Sequence, residues 1–184
     1  MIILIKQTLL FLLFHNIYIN IPYFPRINEI DYLKHNPTDL KHLKNINCYS
    51  LSSFNYTILG LFLIKYNSGI FYIDQFLPYF IIIQGPISFI SDSTYVDKYH
   101  WIHDLDISLA SYNSTFSFGV FLYTYSTWKL SNIYYIILFL GKIFHLMSRY
   151  SFENKKYKHY EQYHILWHLI IPYNSMLMLY KINN

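Results

Sequence analysis

The chain has 184 residues, a formal charge of +4 and one cysteine, Cys48. That length suits a single domain, a lone cysteine excludes an intrachain disulfide or a thiolate-based metal site, and so modest a charge on scattered lysines gives no footing for nucleic acid. Hydrophobic residues make up 54% and charged residues 13%, against about 25% charged in an ordinary soluble domain, so the composition points to a membrane protein.

In chain order, residues 1–20 read as an N-terminal hydrophobic span. Lys6 lies inside the apolar run and no pair of small residues follows it, so an uncleaved helix fits better than a signal peptide. Residues 21–50 form a polar loop with Pro22, Pro25 and Pro37. A helical bundle then occupies 51–184. Its expected spans are 51–66, 70–91 (kinked at Pro78 and at Gly85-Pro86), 104–125, 130–147 and 164–180, each near the roughly 20 residues that cross a bilayer. Asn67-Ser68-Gly69 is a turn signal between the first two. The expected fold is therefore all-α: a single polytopic transmembrane helical bundle of about six spans, or about five if the first is removed. The sequons at Asn55 and Asn113 fall inside spans and are expected to be unmodified.

Counting sides places the loops 21–50, 92–103 and 148–163 together. That side carries Arg26, Lys34, Lys41, Lys44, Lys98, Arg149, Lys155, Lys156 and Lys158, and the opposite side only Lys65, Lys129 and Lys181. Cytoplasmic loops are enriched in Lys and Arg, so this side is expected to face the cytosol.

Three clusters of chemistry-bearing residues fall at helix ends on that side. Ser88 and Asp92 share a face at the end of one span. His103, Asp104 and Asp106 begin the next. His164 and His168 begin the last, one helical turn and about 6 Å apart along the axis. Ionisable groups at membrane depth are functional candidates by default. Two histidines and a carboxylate with an open position make a common catalytic zinc set. His103 is an alternative third ligand, and Asp104 and Asp106 are rivals for the acid beside the metal. Each has an ordinary reading: the two aspartates as helix N-terminal caps, Ser88 as a backbone hydrogen-bonder, Trp167 as an interfacial anchor.

The order of Ser88-x-x-x-Asp92, then Asp106, then His164-x-x-x-His168 resembles the superfamily of alkaline ceramidases, adiponectin/progestin receptors and hemolysin III proteins. The resemblance covers roughly residues 84–172. It implies a seven-helix bundle that holds zinc through one His after the Ser motif and two from the final His pair, with the Asp holding the metal's water. Carried onto this chain, it implies His164, His168 and Asp92 as metal ligands and Asp106 and Ser88 as catalytic residues. The activity implied is hydrolysis of a carbon–nitrogen bond in a lipid amide such as ceramide, or of an ester, with the acyl chain in the bundle. Ser88 would then donate to the oxyanion and Asp106 would act as base. The chain departs from the family twice: Asp92 stands where the family has His, and fewer helices separate Asp106 from His164. Two other readings are a receptor-like or structural membrane protein with a non-catalytic metal, and a small electron-transfer protein with a bis-histidine haem built on His145 and the terminal pair.

Overall fold

In the computed structural model the described residues are 37–66, 76–98, 100–113 and 131–183. The expected N-terminal span, the Asn67-Ser68-Gly69 turn and the later part of the 104–125 span lie outside them. Among the described residues the fold is all-α. In chain order the helices are α1 (Pro37–Leu40), α2 (Cys48–Leu51), α3 (Phe54–Lys65), α4 (Leu77–Thr94), α5 (101–113), α6 (Asn132–Glu153) and α7 (Tyr157–Asn183).

Local chemistry explains the boundaries. Asn47 opens α2 with a reciprocal capping box: its side chain accepts from the Ser50 N–H at 3.0 Å, and its own N–H reaches Ser50 Oγ at 3.2 Å. Pro78 falls in the first turn of α4, where a missing N–H costs nothing. It starts the helix rather than kinking it, contrary to expectation. Pro86 lies inside α4 and deprives the Ile82 carbonyl of its helical donor. Thr57 Oγ1 supplies a replacement across the helix pair at 3.0 Å.

Two antiparallel pairs make the frame. The α3–α4 pair packs closely because Gly60 faces Pro78 and Ile82, while Gly85 faces Thr57 and the Ser53 carbonyl. In the α6–α7 pair, Gly141 lies against Ile170 and Ile171, and Asn174 Nδ2 donates to the Tyr134 carbonyl at 2.8 Å. Helix α7 also packs on α3. A series of polar pairs zips α4 to α5: Gln84 with Asn113, Ser88 with Asp106, and Ser91 with His103.

Described residues of the three segments expected to share one side pack together. Leu40, Leu43, Tyr49, Val96, Phe152 and Tyr157 form one buried cluster, and Lys44 pairs with Asp97 at 2.9 Å. The expected loop at 148–163 is far shorter. Both flanking helices run through it, leaving Asn154, Lys155 and Lys156 as the connection, with Lys155 in the left-handed region at φ 58°. The histidine pair consequently sits well inside α7, not at its start.

No helix among the described residues is long and apolar enough to cross a membrane. The reason is visible in the helices. The 12 residues of α3 fall short of the roughly 20 required. The longer helices carry polar side chains that face one another inside the bundle, such as Gln84, Ser88, Asp92, His164, His168 and Asn174, all buried.

Candidate metal centre

Helix α4 contributes Asp92 from its last turn. Helix α7 contributes His164 and His168, four residues apart on the face turned toward α3 and α4. All three are buried, with His168 only 1% exposed. One ligand atom from each lies within 4.8 Å of the others. His164 Nε2 and Asp92 Oδ2 are 3.2 Å apart. Two atoms bonded tetrahedrally to zinc at about 2.0–2.2 Å stand about 3.3–3.6 Å from each other, so that edge would have to open slightly to take an ion. This group can hold a metal ion.

Asp92 is the hub. Its Oδ1 accepts from the Tyr49 hydroxyl at 2.7 Å and its Oδ2 accepts from Ser53 Oγ at 3.1 Å; His164 Nε2 lies 3.2 Å from the same Oδ2, and an ion bound between them would take the place of the proton they share. Burial, and then the Asp92 carboxylate beside it, push the Tyr49 phenol well above its usual range, so it stays protonated and donates. Tyr160 lies 2.6 Å from the same hydroxyl. Because the Tyr49 proton goes to Asp92, Tyr160 is the donor in that pair.

His168 is oriented from the other side. Its Nδ1 lies 3.1 Å from Ser52 Oγ and 3.4 Å from Ser53 Oγ. The Ser52 proton is committed to the Tyr49 carbonyl at 2.6 Å, and the Ser53 proton to Asp92. Both oxygens must therefore accept, which places the imidazole proton on Nδ1 and leaves the Nε2 lone pair for a ligand. Ser53 stands at the N-cap of α3 yet makes no capping bond; its hydroxyl serves Asp92 instead.

Asp106 lies beside this group. It accepts a hydrogen bond from Ser88 and is within electrostatic reach of Asp92. Its Oδ1 is buried without a hydrogen-bond partner among the described residues. The expected Ser88 and Asp106 thus come together beside the three expected ligands. Ser88 holds Asp106 rather than offering its proton outward.

His103 is turned away. Its Nε2 faces the Tyr95 and Lys98 carbonyls at 2.8 and 3.1 Å, so it carries the proton, and its Nδ1 accepts from Ser91 Oγ at 2.6 Å. That leaves no lone pair for an ion, and Asp92 is the third member of the cluster. Asp104 is outside the cluster; its carbonyl accepts from Ser108 Oγ at 2.6 Å. His145 Nδ1 lies 3.2 Å from Lys142 Nζ, and its ring meets the Trp167 indole at 4.9 Å. The same indole lies 4.0 Å from the His168 ring. It thus touches both imidazole rings. Trp167, half-buried, packs against the Tyr56, Leu59, Leu77 and Ile81 cluster.

Sequence reasoning missed Tyr49, Ser52, Ser53 and Tyr160. The signal for the first three was the hydroxyl-rich run Tyr49-Ser50-Leu51-Ser52-Ser53 at the head of a span, on the side already holding the other clusters. Comparison with protein-family models, with curated proteins and with solved structures finds no match to this chain.

Proposed function

We propose that the chain is an integral membrane, zinc-dependent hydrolase of a lipid amide or ester, with its site near the cytosolic face. The observation that carries this reading is the convergence of Asp92, His164 and His168 from distant parts of the sequence into one buried group, with Asp106 and Ser88 beside it. The motif order, which resembles the ceramidase and receptor superfamily, supplies the class of substrate.

The membrane assignment rests on an inverted distribution of polarity. The described interior holds buried Gln84, Asp92, Asn113, His164, His168 and Asn174, while Phe139 is 66% exposed, Leu61 56% and Ile136 54%. Water drives the opposite arrangement, whereas a bilayer favours apolar surfaces and polar groups that satisfy each other inside. The basic residues Lys44, Lys98, Lys155, Lys156 and Lys158 lie at or beside the connections on the metal end, which supports a cytosolic position for it.

Zinc on these three ligands would supply a Lewis acid that polarises the substrate carbonyl and activates water near neutral pH. The chain's own groups do the rest. Asp106 offers Oδ1, a buried acceptor with no partner among the described residues, to orient the attacking water and take its proton. Ser88 steadies that carboxylate with its hydroxyl. The apolar bundle receives the acyl chain.

Protein purified in detergent, supplied with zinc and assayed on an N-acyl lipid should release fatty acid, and Asp106→Asn should lower kcat by 100-fold or more while zinc stays bound. Turnover that survives Asp106→Asn removes that residue from the mechanism. Zinc without turnover of amides or esters favours a non-catalytic metal. Iron in place of zinc, which two histidines and a carboxylate also suit, would overturn the hydrolytic reading.

A further inference from the structure

We infer that Tyr49, Ser52 and Ser53 are positioning residues of the metal centre: one short stretch ahead of α3 sets which atoms of Asp92 and His168 face the ion. This rests on the reading of the cluster as a metal site. It goes beyond that reading by assigning a function to a segment outside the motifs that suggested it.

The argument is one of donors and acceptors. Asp92 has two oxygens. Tyr49 takes Oδ1 with the shortest of its hydrogen bonds, 2.7 Å, and Tyr160 backs the phenol at 2.6 Å. That leaves Oδ2 turned toward His164 Nε2, steadied by Ser53. The carboxylate is thereby held to bind through one oxygen, not two. On the other ligand, Ser52 and Ser53 accept the Nδ1 proton of His168 and leave Nε2 as its free ligand atom. Tyr49 is linked to both sides, since its carbonyl takes the Ser52 proton while its hydroxyl holds Asp92.

Such outer partners fix tautomer and orientation, and losing one typically weakens metal binding 10- to 100-fold. A carboxylate ligand needs this more than an imidazole does, because it can rotate between one- and two-oxygen binding.

The test compares wild type with Tyr49→Phe, Ser52→Ala, Ser52→Thr and Ser53→Ala. Zinc affinity is read by competition with a chromophoric chelator, ligand geometry by the visible spectrum of the cobalt-substituted protein, and folding by thermal unfolding of the metal-free form. Tyr49→Phe and Ser52→Ala should each weaken zinc binding by about 10- to 100-fold and alter the cobalt spectrum. Ser52→Thr, which keeps the hydroxyl, should restore both. If Tyr49→Phe fails to fold, the Ser52 pair decides alone. Unchanged zinc affinity and cobalt spectrum in the variants of a metal-binding wild type overturn the inference and leave the metal site standing. A wild type that binds neither ion overturns both.

Discussion

Adjacent residues of α4 build two buried histidine clusters of opposite character. Ser91 meets His103, and Asp92 meets His164 and His168. All three imidazoles are buried. The His103 ring is closed: one nitrogen donates to carbonyls and the other accepts from a serine. The second cluster gathers two imidazoles around a carboxylate and leaves the Nε2 lone pair of His168 for a ligand. Burial alone therefore does not mark a metal site. The partners do: His103 is held by a serine and two carbonyls, whereas His164 and His168 gather around a carboxylate and together can hold an ion.

Perturbing the two clusters should give different results. The largest effect is expected from Asp92→Ala, which removes a ligand and strands the donors of Tyr49, Ser53 and His164. Metal affinity should fall by more than 100-fold. Unfolding of the metal-free protein should cost about 3 kcal/mol less, at the upper end for unsatisfied buried groups. Next, His103→Ala should lower stability by about 1–3 kcal/mol, because Ser91 and two carbonyls lose their partner, while metal stoichiometry measured by elemental analysis stays at the wild-type value. An equal loss of metal from His103→Ala would erase the distinction between the clusters. Gly85→Ala tests how the frame supports the site. A Cβ there overlaps Thr57 Oγ1 and comes within 3.2 Å of the Ser53 carbonyl. It should destabilise by about 1–3 kcal/mol and weaken metal binding by displacing Ser53. The smallest effect is expected at the rim. Lys44→Ala breaks the part-exposed pair with Asp97 and should cost no more than about 1 kcal/mol in chemical unfolding, with metal affinity unchanged.

The site was legible in the sequence to the extent that topology made it so. His164 and His168 share a face by their spacing. Asp92 and Asp106 reach them because hairpins return the chain to one end, and the clustering of Leu43, Val96 and Phe152 bears out that return. Which third ligand closes the set was not legible, because the choice between Asp92 and His103 depends on where the Tyr95 and Lys98 carbonyls point. Helix ends were misjudged for a related reason. Residues 148–153 and 157–163 look like a loop because they are polar and charged, yet they are the ends of two helices. The residues that position the ligands escaped notice because Tyr49 follows a proline-containing polar stretch that reads as loop. Its role arises only when α2 folds against α4 and α7. The membrane reading is a proposal drawn from composition and from the exposure of Leu61, Ile136 and Phe139, while no described helix is long and apolar enough to cross a membrane. The polar groups inside the bundle lower the hydropathy of the helices that carry them.

The most direct test is the metal content of purified wild-type protein beside a His164→Ala, His168→Ala double variant, each dialysed against a metal-free buffer after loading with zinc. The account predicts one zinc per wild-type chain and none in the variant, with helical content matched by circular dichroism. A folded wild type that retains no metal, or a variant that retains as much as wild type, would contradict it.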